Sequence, residues 1–222
     1  PGPGWPSWAF ENHDAPRAVS RWCPAGCSPE DVAAFARMKM ALLCALRGNI
    51  ILYNGEELGL DQVEIPFELV KDPEALKNWP LTLSRDGART PLPWAASETH
   101  AGFSSADPWL PLGAEHGALA VDRQEDDPAS LLNLTRQLIA LRAAHSALRL
   151  GRDARWIAEG DLLVFDRIAV GEHIRCLFNL GGGTIDVAGH AAGGVPVVAL
   201  NGADPAHLPP CGALWLKLEG TN

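Results

Sequence analysis

Apolar runs that stop abruptly on clusters of polar side chains recur along this chain. Trp8-Ala9-Phe10 gives way to Glu11-Asn12-His13-Asp14, and Ile50-Ile51-Leu52-Tyr53 ends in Asn54-Gly55-Glu56-Glu57. An uninterrupted run such as Ile50 to Tyr53 is what a parallel strand covered on both faces requires. Between the two runs, Ser28-Pro29-Glu30-Asp31 has the order of a helix start: a Ser cap, Pro at the first helical position, acids against the dipole. Val32, Phe35, Ala36, Leu42, Leu43 and Leu46 keep helical spacing, so the helix extends to about Arg47 and Gly48 stops it. Strand, helix, strand predicts a βαβ unit, in which the carboxyl ends of both strands face one way. That order puts Asp14 and Glu57 on one rim.

The pattern lapses over residues 54–127, where Pro is frequent and Phe67, Trp79, Trp94 and Phe103 are scattered without period. The aromatic and Pro content argues against disorder, so this stretch reads as a folded excursion over a site. Asp127-Pro128 opens another helix, with Leu131, Leu134, Leu138 and Leu141 on one face and Arg142 near its end. From about Arg155 the texture changes. Leu162 to Phe165, Ile174 to Phe178, Val195 to Val198 and Ala213 to Leu216 are short apolar runs separated by Gly and Asp or Asn turns, the signature of an antiparallel all-β module. Gly181-Gly182-Gly183 is expected to be a turn, and the boundary between the two textures falls near Gly151.

Composition narrows the function. The 222 residues suffice for one large domain or two small ones. A formal charge of −9 with no cluster of Lys and Arg excludes nucleic acid as a partner and suits solubility. No apolar run reaches membrane-spanning length, and no signal peptide is visible. The chain opens on Pro1-Gly2-Pro3-Gly4 without Met, so its true N-terminus is expected upstream. Five cysteines, spread from Cys23 to Cys211, make no disulfide framework and point to a reducing compartment, the cytoplasm, with the periplasm left open. Cys23 and Cys27 have no second pair at zinc spacing, so neither a metal nor a cofactor is expected.

Several separated motifs fit one family. They are Phe10-Glu11-Asn12-His13-Asp14 with Pro16-Arg17 and Ser20-Arg21-Trp22, and Tyr53-Asn54-Gly55-Glu56-Glu57-Leu58-Gly59. Further on come Arg85-Asp86-Gly87-Ala88-Arg89-Thr90-Pro91 with Trp94, Ala101-Gly102-Phe103-Ser104, Pro108-Trp109-Leu110-Pro111, and Leu138-Ile139-Ala140-Leu141-Arg142. In this order they resemble the C-terminal part of bacterial α-glucosidases of the α-amylase superfamily, glycoside hydrolase family 13. The likeness covers roughly residues 5 to 150 and departs at Leu92-Pro93, Asn54 and Ala88, which bears on substrate preference more than on fold.

The resemblance implies an α/β fold. Residues 1–150 would be the last βα units of a (β/α)8 TIM barrel with a long active-site loop. Residues 151–222 would be a small antiparallel β-sandwich domain. It implies a retaining α-glucosidase acting on terminal α-linked glucose of oligosaccharides or disaccharides. Its nucleophile and general acid would lie on barrel strands upstream of Pro1, so the segment alone is expected to be inactive and to need that missing part. Retaining hydrolysis uses two carboxyl groups about 5 Å apart; Asp14 matches the third acid, which grips sugar hydroxyls and favours the oxocarbenium-like transition state. By the same matching, His13 donates to a hydroxyl of the non-reducing glucose and Arg85 holds its far edge with a fork of donors. Glu57 would sit beside the next sugar, and Arg17 near the same rim.

The residues also allow other readings. His13 can be a structural histidine, Glu56 and Glu57 can exchange roles, and Asp86 with Arg89 reads as a pair that pins the loop. Trp79, Trp94 and Trp109 can stack on sugars, though packing is the commoner use. A sucrose isomerase or glucosyltransferase would use the same rim, and a non-catalytic sugar-binding or scaffold module would keep it without the chemistry. Two parallel strands cannot close a barrel, so the inner faces of Trp8 to Phe10 and Ile50 to Tyr53 are expected to be left to water.

Overall fold

The computed structural model describes residues 4–23, 26–82 and 84–219. Pro24 and Ala25, in the loop read between Cys23 and Cys27, lie outside the described residues. In chain order the first elements are strand β1 (Ser7–Trp8), helices α1 (Ala18–Trp22) and α2 (Pro29–Ala45), and strand β2 (Asn49–Ile50). Helices α3 (Pro73–Asn78), α4 (Val121–Glu125), α5 (Leu131–Ala144) and α6 (Ser146–Leu150) follow. Next come β3 (Arg152–Glu159), β4 (Leu162–Ala169), β5 (Glu172–Asn179), β6 (Ile185–Asp186) and a short helix, α7 (Ala188–Ala191). The last strands are β7 (Gly194–Leu200), β8 (His207–Leu208) and β9 (Ala213–Leu218). Among the described residues no helix is long and apolar enough to cross a membrane.

The chain folds as two compact units, each discontinuous in sequence. One holds the residues up to Trp8, Ser28–Ile51 and Thr135 onward; the other holds Ala9–Cys27 and Leu52–Leu134.

In the first unit β1 and β2 pair in parallel, Ser7 opposite Asn49 and Trp8 opposite Ile50. With α2 between them in sequence, the predicted strand–helix–strand order is present. The ladder begins earlier than the apolar runs, directly after Gly48, where the Asn49 N–H donates to the Pro6 carbonyl at 2.8 Å. At Gly48 φ is +111°, and a Cβ would fall 2.2 Å from the Pro6 carbonyl oxygen. Trp8 and Ile51 remain 39% and 52% exposed, short of the two-sided burial that the apolar runs suggest.

Helix α2 starts where its capping residues place it. Ser28 Oγ accepts from the Asp31 N–H at 3.2 Å and Asp31 accepts from the Ser28 N–H at 3.0 Å, a reciprocal capping box. It ends at Ala45, and the carbonyls that a helix end leaves without partners are taken by two buried arginines. Arg142 donates to Cys44 O at 2.6 Å, to Leu46 O at 2.8 Å and to Gly48 O. Arg167 donates to Ala45 O at 2.7 Å and to Gly151 O at 2.8 Å. Burial pulls both guanidinium groups down, Arg167 to about 10. Their carbonyl bonds offset that penalty.

The C-terminal strands form a five-stranded sheet in the order β3-β4-β5-β9-β7, antiparallel throughout, with a separate β6–β8 ribbon. Alternation along the strands sends Leu162, Val164, Leu177, Leu214 and Leu216 to one face, where Val187, Ala191, Ala203 and Leu208 cover them. The other face carries Phe165, stacked between Trp156 at 4.5 Å and Phe178 at 5.8 Å. Arg167 shares that face, which is how it reaches the end of α2. The four predicted runs lie within β4, β5, β7 and β9. Edge strand β3 carries no such run: its side chains are mostly exposed, and a bulge at Arg155, with φ +49°, breaks its alternation.

The second unit is built from short turns around small apolar clusters, one of Leu58, Leu60, Leu92 and Leu132, another of Ile65, Val70, Ala75 and Leu110. The stretch after residue 54 is therefore folded, as its aromatic content suggests. Asp127 does not open α5. Its side chain accepts from the Ala129 N–H at 2.9 Å in an Asx turn, and Ser130 Oγ, accepting from the Asn133 N–H at 3.2 Å, caps the helix instead.

Candidate active site

All the candidate residues lie in the second unit. At Asn12 the chain turns: Oδ1 accepts from the Asp14 N–H at 2.8 Å and from the Ala15 N–H at 3.0 Å. Asn12 is thereby used up in local geometry, and the next two side chains project outward. His13 and Asp14 are 66% and 54% exposed, with His13 Nε2 at 3.2 Å from Asp14 Oδ2. The other oxygen, Asp14 Oδ1, accepts from Arg85 Nη1 and from Arg89 Nη2, both at 3.1 Å. Arg89 Nε also donates to the His13 carbonyl at 2.8 Å.

Behind this cluster stands Asp72, 1% exposed. It accepts from Arg85 Nε at 2.8 Å, from Arg85 Nη2 at 2.6 Å and from the Arg85 N–H at 3.0 Å. The fork of Arg85 is closed on Asp72, and Nη1 is the nitrogen that reaches Asp14. The Arg85 bonds overcome burial and hold Asp72 well below the usual carboxylate range, while the same bonds raise Arg85. Asp86, fully buried, accepts from the Lys71 N–H at 2.6 Å and the Asp72 N–H at 2.9 Å. Its pairing with Arg89 is the looser contact, at 3.9 Å.

A second turn carries Glu57. Gly55 sits at φ +91°, a conformation in which a side chain is strained, and a Cβ there would also press on Leu60 Cδ1 at 2.6 Å and Arg17 Nη2 at 3.1 Å. The turn buries Glu56, which accepts from the Tyr53 N–H at 3.2 Å, and leaves Glu57 half-buried, accepting from the Gly55 N–H at 2.8 Å. Arg17 is buried beneath it. Its Nη1 donates to Glu11 Oε2 at 3.0 Å and to Asn54 O at 2.9 Å, and its guanidinium lies 4.6 Å from the centre of the Tyr53 ring. The Tyr53 hydroxyl in turn donates to Ala88 O at 3.0 Å, tying this turn to the Arg85–Arg89 segment.

His13, Asp14 and Arg85 thus share one hydrogen-bonded cluster. Arg17 and Glu57 occupy the adjoining turn, the first as a buried brace and the second partly open. Arg89 is the member that the sequence reading assigned only to loop pinning. No local signal marks it: Arg85–Ala88 is a 3-10 turn with Arg89 at its non-helical end, where a spacing of four does not align side chains. Trp79, Trp94 and Trp109 are 41%, 52% and 55% exposed, and Trp79 lies against Phe67 at 5.1 Å. Chemically, the cluster presents an exposed carboxylate oxygen and an imidazole side by side, a pairing able to hydrogen-bond adjacent hydroxyl groups.

The chain has relatives among known proteins. The probable alpha-glucosidase of Rhizobium meliloti (strain 1021) is 44% identical over 177 residues, 80% of this chain and 31% of the relative. Oligo-1,6-glucosidases are among the other relatives. The chain spans about a third of the length of the curated relatives it matches. Among solved structures, the alpha-glucosyl transfer enzyme XgtA superposes with a TM-score of 0.87 at 41% identity, over 97% of this chain and 41% of that one. Isomaltulose synthase from Erwinia rhapontici NX5, at 23% identity and a TM-score of 0.80 over 98% of this chain and 43% of its own, shares the fold alone. The alpha-amylase catalytic domain matches residues 1–151. The chain therefore belongs to the alpha-amylase catalytic-domain family, glycoside hydrolase family 13.

Proposed function

We propose that this chain is part of a retaining α-glucosidase that releases terminal α-linked glucose from oligosaccharides or disaccharides. Residues 1–150 contribute the last βα units of its (β/α)8 barrel, and residues 151–222 the β-sandwich domain that follows. The parallel β1–β2 pair and the family match over residues 1–151 support the first assignment, and the antiparallel sheet supports the second. The nucleophile and general acid belong to the part of the protein outside these residues, so the segment alone is inactive. Five cysteines, an odd number spread along the chain with no disulfide framework, support a cytoplasmic location.

The observation that carries the reading is the division of labour at Asp14, one oxygen held by two arginines and the other turned outward beside His13. An ionised carboxylate so presented strengthens its hydrogen bonds to sugar hydroxyls as the ring gains positive charge. In this role Asp14 stabilises the transition state and His13 donates to a neighbouring hydroxyl. Arg85 offers Nη1 to the far edge of the glucose, Glu57 flanks the next sugar, and Arg17 braces the turn from below. In the full-length protein, Asp14→Asn is expected to lower kcat on maltose roughly 10²- to 10³-fold. Turnover within about twofold of wild type would remove Asp14 from the mechanism.

The likeness to an alpha-glucosyl transfer enzyme supports a second reading, glucosyl transfer or sucrose isomerisation on the same rim. Product analysis after incubation with maltose and sucrose separates them: both reactions release glucose from maltose, but only transfer or isomerisation yields a new glycoside. A non-catalytic sugar-binding module is disfavoured by the intact cluster, and it would yield neither product.

A further inference from the structure

We propose that Arg89 is a positioning residue, a two-point clamp that sets the Asp14 carboxylate so that Oδ2 and the His13 imidazole face the sugar. The inference rests on the reading of Asp14 as the substrate-facing acid. Arg89 grips the turn twice: Nε holds the His13 carbonyl at 2.8 Å, fixing the backbone, and Nη2 holds Asp14 Oδ1 at 3.1 Å, fixing the side chain. A planar guanidinium supplies two donors on fixed vectors, and an ammonium does not. Arg85 meets the same oxygen from its Asp72-anchored position. The carboxylate cannot rotate without breaking two charge-assisted bonds. Oδ2 is left with His13 Nε2 at 3.2 Å, on a side chain 66% exposed.

Arg89 is itself set from below. Its side chain is 18% exposed against 32% for Arg85, so it lies deeper than the residue proposed to touch sugar. The short turn Arg85–Ala88 delivers it, started by Ser84 Oγ accepting the Asp86 N–H at 3.0 Å and closed by the Arg89 N–H donating to Asp86 O at 2.8 Å. Asp86 stands 3.9 Å behind the guanidinium. A group that holds Asp14 without touching sugar affects the transition state more than ground-state binding.

The test compares Arg89→Met and Arg89→Lys with wild type in the full-length protein, by kinetics on maltose and by crystal structure. For Arg89→Met, kcat is expected to fall about a hundredfold, the cost of misplacing a group by about 1 Å, with KM changed less than about threefold. Arg89→Lys should recover only part of that loss, because it replaces one of two bonds. In the crystal structure of either variant the Asp14 carboxylate should have turned from Arg85 Nη1. An unmoved carboxylate overturns the clamp, whatever the kinetics. So does a rise in KM with kcat intact, which would make Arg89 a sugar contact. If Arg89→Met does not fold, Arg89→Lys decides by the same two readouts. Wild-type protein that releases no glucose from maltose or sucrose defeats the proposed function instead, and the carboxylate position in the variants still decides the clamp.

Discussion

Asp72 takes two guanidinium nitrogens of Arg85 together with its backbone N–H, so a ligand in front of the cluster meets Nη1 rather than a fork. On the proposed reading Arg85 turns Nη1 alone toward sugar, and its aim depends on a buried carboxylate. Asp72→Asn keeps an acceptor for the Glu74 N–H at the start of α3, but it turns an amide N–H₂ toward guanidinium donors. Release of Arg85 is expected to raise KM for maltose about tenfold, roughly the 1.4 kcal/mol of one charge-assisted bond. Steady-state kinetics beside the Arg89 variants checks it. The two series should differ in kind, a KM effect through Arg85 and a kcat effect through Arg89. A kcat effect from both would merge them into one clamp on Asp14.

At the scale of elements, α2 shows why parts of this fold are legible in the chain and others are not. Its start is written within four residues, because Ser28 and Asp31 satisfy each other locally. Its end is not. The carbonyls of Cys44, Ala45 and Leu46 are closed by Arg142 and Arg167, about a hundred residues on, and no local pattern announces such partners. The same limit applies to the bonds from Arg89 to His13 and Asp14, across more than seventy residues, and to the bond from Arg17 to the Asn54 carbonyl, across 37. Rim acids at strand ends could be read because polarity changes abruptly there; which arginine faces which oxygen could not. Two substitutions test the two ends of α2. Ser28→Ala is expected to cost about 1 kcal/mol. Arg142→Met should cost about 3 kcal/mol or more, since it strands three buried carbonyls. Urea unfolding followed by circular dichroism measures both, and equal losses would mean that the carbonyls find water.

Across the whole molecule, carboxylates held below their ordinary range occur in both units, Asp61 and Asp72 in one, Asp166 and Glu172 in the other. Glu172 is the clearest case. Burial pushes it up, but the Ala147 N–H at 2.8 Å, His145 Nδ1 at 2.6 Å and Ser146 Oγ at 2.8 Å outweigh that and hold it at about 2, against an ordinary 4.5. Because the folded value lies below the unfolded one, the folded state gains from ionised Glu172. That gain is complete above about pH 4.5 and is lost as pH falls toward 2. The span corresponds to about 3 kcal/mol at most. Glu172 joins the start of α6 to β5, so its protonation should loosen the unit that holds the sheet. Thermal melts of wild type and Glu172→Gln between pH 7 and pH 2 separate this contribution from the other acids. The variant should melt lower at pH 7 and lose less on acidification, so that the two curves converge near pH 2. Curves that stay parallel would mean that the bonds to His145, Ser146 and Ala147 add nothing beyond what water supplies, and acid sensitivity would then rest with Asp166 and the carboxylates of the other unit.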